Sequence, residues 1–243
     1  PRFTSDVCRN YIATSYTPDK MVAFYSGTMP PQRVADIIRR RFGDMAAPTS
    51  RISRRITPLR LPAFNIRRNP GTHQAHCVMG APVPGIYSDE RIALGLLTNI
   101  LGGPGMNSRL NVALRERRGL VYTVDANLNM MSDCGLFSVY FGCDPSDAAR
   151  CAELVCSELH KIATQPLSPR ALAAAGQQYL GQLVVAADNS EQMALNAARS
   201  TLFFGKVPDA AEVREKIAGL SPDILIHAAR HLSPDNLSSL TLG

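Results

Sequence analysis

The chain has 243 residues, 45% of them hydrophobic, and 26 Lys and Arg against 20 Asp and Glu, for a formal charge of +6. That length and apolar content suffice for a substantial buried core. No apolar run approaches the length of a membrane-spanning helix: even Leu94 to Gly103, LGLLTNILGG, is short and fits a helix packed in water-soluble surroundings.

In chain order, a helix is predicted from about Ser5 to Tyr16. A turn and apolar strand follow from Thr17 to Gly27, and a second helix runs to about Gly43. Between Arg39 and Arg68 stand nine arginines and a single acid, Asp44, among Pro48, Pro58 and Pro62. This reads as a basic helix end and interdomain linker. A nucleic-acid module would add stacking aromatics or a groove-entering motif, and the region offers only Phe42 and Phe64, so nucleic acid is not the expected partner.

The next strand is predicted near Gln74 to Met79, then a helix from Ser88 to Leu101. After the glycine-rich break GGPG, Leu110, Val112, Ala113 and Leu114 fit one helical side, with Asn107 and Ser108 as N-cap candidates. Gly119 ends this helix of about Asn107 to Arg117. Strands at about Leu120 to Met130 and Gly135 to Gly142 form a hairpin through Ser132-Asp133. Helices dominate from Ser146 to Leu232, broken at Pro166, Pro169, Gly205, Pro208, Gly219 and Pro222, before a final strand. The fold class expected is α+β, a mixed and largely antiparallel sheet with helices packed on one face.

Thr17 to Gly27, TPDKMVAFYSG, and Ser233 to Gly243, SPDNLSSLTLG, share a turn, a strand and a closing glycine at an offset of 216 residues. A helix-compatible segment precedes each copy in the same register. Such a long period indicates duplicated domains rather than a solenoid. Too few residues precede the first copy to build the domain its strand should close, which leads to the expectation of a truncated first domain. The expected division is 1–45 as the tail of that domain, 46–71 as the linker and 72–243 as the second domain.

The six cysteines, at positions 8, 77, 134, 143, 151 and 156, include no Cys-x-x-Cys pair and no recognised zinc spacing. Reduced, mostly buried thiols and a reducing, cytoplasmic compartment are expected, since a core of this size does not need disulfides.

Arg115 and Tyr122 lie seven apart across the helix-to-strand turn, which places two hydrogen-bond donors near one point. A guanidinium and a phenol so placed can hold a carbonyl oxygen as it becomes negative. From spacing alone, a solvated helix arginine and a strand tyrosine is the commoner arrangement.

The wording of this segment carries more. Ser108-Arg109-Leu110 followed by Arg115-Glu116-Arg117-Arg118-Gly119-Leu120-Val121-Tyr122 resembles the second half of the pitrilysin or insulinase family of zinc peptidases, which includes mitochondrial processing peptidase. The likeness extends over most of residues 70 to 243, from HQAHCVMGAPVPG and DERIALGLLTNILGG onward. The resemblance implies a half that carries no metal, whose Arg115 and Tyr122 bind the substrate backbone opposite a zinc site. Zinc is then expected in the full-length protein or assembly, held by the missing N-terminal half or by a homo- or heterodimer partner, with a peptide as substrate. A noncatalytic assembly subunit of the same fold is the alternative.

Other chemistry is not supported. The family's zinc motif, H-x-x-E-H, does not occur. His73 and His76 are three apart on a predicted strand, which sends them to opposite faces. His227 and His231 can share a helical face, but Ala228-Ala229-Arg230 between them supplies no glutamate and no third ligand is evident. His160 stands alone. GGPG lacks the lysine and serine or threonine of a phosphate loop, and Ser108 has neither a histidine nearby in sequence nor a G-x-S-x-G setting.

Overall fold

The structure, a computed structural model, describes residues 3–45, 62–69 and 71–243. They divide into two compact units. One comprises the described residues up to position 54 together with Gly181–Glu212; the other runs from position 55 to Leu180 and includes Val213–Gly243.

The larger unit holds a five-stranded sheet. Its strands are β1 (Asn65–Arg68), β2 (Ala75–Val83), β3 (Val121–Met130), β4 (Gly135–Cys143) and β5 (Ser238–Leu242). Their spatial order is β1-β5-β2-β4-β3, with β1 and β5 parallel and every other pair antiparallel. Alternation decides which face is covered: Ala75, Cys77, Met79, Ala81 and Val83 of β2 are all buried, as are Phe137, Val139, Phe141 and Cys143 of β4. All of these but Ala81 meet α3 (Arg91–Gly102), α4 (Ala148–Thr164) and α8 (Pro222–Ala229) in one core. On α4 the buried residues Ala148, Cys151, Val155, Leu159 and Ile162 recur every three or four positions, the stripe of a helix lying on a sheet. Ser221 caps α8, its hydroxyl accepting from Ile224 N–H at 3.3 Å, and Pro222 takes the first helical position. The mixed, largely antiparallel sheet with helices on one face is the architecture expected from the sequence.

The smaller unit contains α1 (Ser5–Ser15), α2 (Pro31–Phe42) and α6 (Ser190–Phe204). Thr4 caps α1 through Val7 N–H, Asn189 caps α6 through Gln192 N–H, and Gly205 ends α6 in the left-handed region. The remaining α-helices among the described residues are α5 (Pro169–Ala187) and α7 (Ala210–Ala218). Among the described residues no helix is long and apolar enough to cross a membrane.

The 216-residue repeat is visible in the structure. A short 3-10 turn at Pro18–Lys20 follows α1, and its counterpart at Pro234–Asn236 follows α8 and the short turn Arg230–Leu232. The two copies then part. Ser238–Leu242 lies between β1 and β2, whereas residues 21–26, expected as a strand, pair with no strand among the described residues. A strand exists only with a ladder partner, so an apolar β-prone sequence alone does not produce one.

Most of the segment read as linker, 46–61 and 70, lies outside the described residues. Within the rest, Asn65–Arg68 forms β1, a strand hidden by its two arginines and by having no buried position along its length. It runs parallel to β5, Asn65 opposite Ser239 and Arg68 opposite Leu242.

Candidate functional site

The segment between α3 and β3 is held from several sides. Gly102, the last residue of α3, lies so close to β3 that a Cβ there would come within 2.5 Å of the Ala126 nitrogen. After the bends of the GGPG loop, Leu110, Ala113 and Leu114 are buried and anchor a helical turn at the edge of the core. From Asn111 to Glu116 this turn is π-helical, with Arg117 N–H reaching back to the Val112 carbonyl at 3.1 Å. Such widened turns recur at functional sites.

The capping differs from expectation. The Asn107 amide pairs reciprocally with that of Gln178, at 2.8 and 3.2 Å, and Ser108 is buried and contributes its backbone carbonyl to Val112 N–H. The loop is tied instead by Asn111, whose amide donates to the Met106 carbonyl at 2.6 Å. The exit follows the predicted pattern. Gly119 adopts φ of 61°, its N–H donates to the Arg115 carbonyl and Leu120 N–H to the Leu114 carbonyl, a pair of nested bonds each one residue wider than those of a Schellman stop, as a π-helical turn requires.

Arg115 is exposed at the end of this turn and lines a cleft of about 410 Å³. Its other walls are Gly102 to Met106, Ser108, Asn111 and the β3 residues Val124 to Asn127. Nothing in this lining forms a nucleophile–base pair, since it contains no histidine, cysteine or lysine. The polar groups of the lining include the guanidinium of Arg115, the carboxylate of Asp125 and the amides of Asn111 and Asn127.

Tyr122 stands across the turn from Arg115, and it does not line the cleft. The register of β3 against β4 shifts between Val121 and Thr123, so Tyr122 is the extra residue of a bulge, a device that re-aims a side chain. Its hydroxyl donates to Asp144 Oδ1 at 2.6 Å. That hydrogen bond, and behind it the carboxylate's negative charge, push the phenol above its ordinary value. Sequence reading missed Asp144. The predicted hairpin contained the signal: counting outward from Ser132-Asp133 brings Tyr122 to the level of Cys143, one residue from Asp144.

The histidines are placed elsewhere. His76 Nδ1 lies 2.8 Å from the Tyr140 hydroxyl, with the two rings stacked. His227 and His231 do share a third group, which the sequence left unseen. Glu90, next to α3, meets His227 Nδ1 at 2.7 Å with one carboxylate oxygen and His231 Nε2 at 2.9 Å with the other. Among the described residues no group of three or more His, Cys, Asp or Glu side chains is arranged to hold a metal ion. Zinc therefore does not fit the described residues. All six cysteines are free, with Cys77, Cys143 and Cys151 buried and Cys8 exposed.

Comparison with known proteins bears on the family and the fold. Residues 2–179 match the model of the family described as the peptidase M16 inactive domain. Over 93% of its length the chain is 30% identical to an uncharacterized zinc protease of Streptomyces coelicolor, of which it covers 50%. The crystal structure of a peptidase M16 inactive domain from Pseudomonas fluorescens superimposes with a TM-score of 0.87 at 16% identity, over 100% of this chain and 58% of that one. A chain of complex III2 from Candida albicans, with Inz-5 bound, gives a TM-score of 0.82 at 16% identity, over 99% of this chain and 59% of that one. The chain spans about half the length of the curated relatives it matches.

Proposed function

Because the chain belongs to the family of peptidase M16 inactive domains, we propose that it is the substrate-holding half of a zinc-dependent endopeptidase. The metal and the water-activating glutamate then reside in another half of the same polypeptide or in a partner chain. Two observations support this division: among the described residues no group could hold a metal ion, and relatives bear the name zinc protease.

The observation that carries the reading is the cleft wall itself. Arg115 projects from a π-helical turn into a groove walled by Val124 to Asn127 of β3, and β3 is an edge strand of the sheet. An extended peptide lying in that groove presents carbonyl oxygens to a guanidinium whose charge does not titrate. Arg115 positions the backbone and stabilises the oxygen that becomes negative when a peptide bond is attacked. Tyr122, anchored at the start of the same strand, contacts the backbone of the same peptide.

The test compares the full-length protein with its Arg115→Ala and Tyr122→Phe forms on a fluorogenic peptide, with zinc content measured in each. Arg115→Ala is expected to lower kcat/KM by about two to three orders of magnitude with zinc retained, the cost of removing one oxyanion donor. Tyr122→Phe should lower it about tenfold, as for one neutral hydrogen bond. Undiminished turnover in zinc-replete Arg115→Ala would remove the assigned role.

A second reading, a noncatalytic assembly subunit, draws on the shared fold with the complex III2 chain. A full-length protein that binds no zinc and cleaves no peptide would favour it.

A further inference from the structure

A phenol hydroxyl has one proton, and Tyr122 gives that proton to Asp144. At 2.6 Å the bond has the length of an O–H donor on a carboxylate, and an ionised carboxylate only accepts, so its direction is settled. Even so, Tyr122 is 56% exposed, which leaves the lone pairs of its oxygen open to a ligand. A tyrosine in this state offers an incoming group an acceptor.

The carboxylate adds a second constraint. A negative charge bonded directly to the phenol opposes any further negative charge gathering on the far side of that oxygen. The developing oxyanion therefore belongs at Arg115, and Tyr122 is left for the other polar group of a peptide bond.

We propose that Asp144 is a positioning residue that makes Tyr122 the acceptor for a backbone N–H, so that Arg115 takes a carbonyl oxygen and Tyr122 an amide hydrogen of one extended peptide. The proposal rests on the peptide-binding reading above. The fold supplies the alignment: Cys143 pairs with Val121 at the end of the antiparallel ladder, and Asp144, just past that rung on one strand, and the bulged Tyr122, just inside it on the other, both adjoin it. The Asp144 carbonyl in turn accepts from Asp147 N–H at 3.0 Å, fixing the turn into α4 that carries the carboxylate. A specificity follows. The substrate residue whose N–H meets Tyr122 cannot be proline, which has no hydrogen to give.

The experiment uses the full-length protein and an internally quenched 12-residue peptide of alanine, serine and lysine. In a matched series each non-scissile amide in turn is replaced by an ester, which removes one N–H. For the native protein, one ester position is expected to lower kcat/KM about three- to tenfold more than its neighbours, the range of one neutral hydrogen bond. That extra loss should vanish in Tyr122→Phe and in Asp144→Ala, whereas a purely structural role for Asp144 would lower all peptides equally. If no ester position separates the native protein from Tyr122→Phe while Arg115→Ala still slows cleavage, the acceptor role is wrong and the peptide-binding reading stands. If cleavage is indifferent to both Arg115→Ala and Tyr122→Phe, that reading fails and takes this proposal with it.

Discussion

At the scale of single residues, two glycines frame the candidate site for different reasons. Gly119 turns the chain at φ of 61°, and a Cβ there would meet nothing within 4 Å. Gly119→Ala should therefore cost only the left-handed backbone, about 1–2 kcal/mol. Gly102 is the opposite case, where an added Cβ runs into the backbone and side chain of Ala126. Gly102→Ala has to push α3 away from β3, and is expected to lower the unfolding midpoint in urea more than Gly119→Ala does. Equal midpoints for the two variants would contradict this ordering. Gly119 was legible in the sequence, because its constraint is local to the end of one helix. That of Gly102 was not, since it is imposed by a strand more than twenty residues further on. The same distinction separates Arg115 and Tyr122, singled out by the wording of one short segment, from Asp144, which comes alongside Tyr122 only when the hairpin closes.

Among elements, periodicity was a reliable guide wherever one face is buried and the other is not. The strands expected near Gln74 to Met79 and Gly135 to Gly142 are present as β2 and β4, whose alternate residues are buried, and with the stripe on α4 they build the core. Where the pattern is set by neighbours, reading failed in both directions. Residues 21–26 have strand-like composition without a ladder among the described residues, and Asn65–Arg68 has a ladder without strand-like composition. Glu90 shows the same limit for side chains: the i,i+4 relation of His227 and His231 was evident, but the carboxylate they share lies 137 residues before the first of them. It joins α8 and the turn after it to the start of α3 through two hydrogen bonds. Glu90→Ala should lower stability by about 1 kcal/mol, with His231→Ala costing more than His227→Ala because the His231 ring is the less exposed of the two. Denaturant titration of the three variants checks this, and a larger loss for His227→Ala would reverse the assignment.

For the molecule as a whole, the buried thiols link stability to alkaline pH. Burial pushes Cys77, Cys143 and Cys156 above the ordinary thiol value, and Cys151 is pushed up to about 12, chiefly by burial and then by neighbouring Cys143. A thiol whose folded value lies above its unfolded one contributes stability that is fully present below the unfolded value, near 9, and is lost as pH rises through the folded value. The free energy of unfolding, read from denaturant titration, should fall between about pH 9 and 12, by on the order of 1 kcal/mol per pH unit for each group within its window. Cys151→Ala should flatten that slope at the upper end, and an unchanged slope would show that Cys151 does not contribute to it.

The placement of β5 inside the sheet has a further consequence. The final residues of this chain separate β1 from β2, two strands that are themselves near neighbours in sequence. During synthesis β2 can zip to β4 while its other side stays bare until Ser238–Leu242 leaves the ribosome. A nascent chain stalled short of that point displays an unprotected hydrogen-bonding rim, the kind of surface that chaperones shield and that sticks to its own kind when they do not.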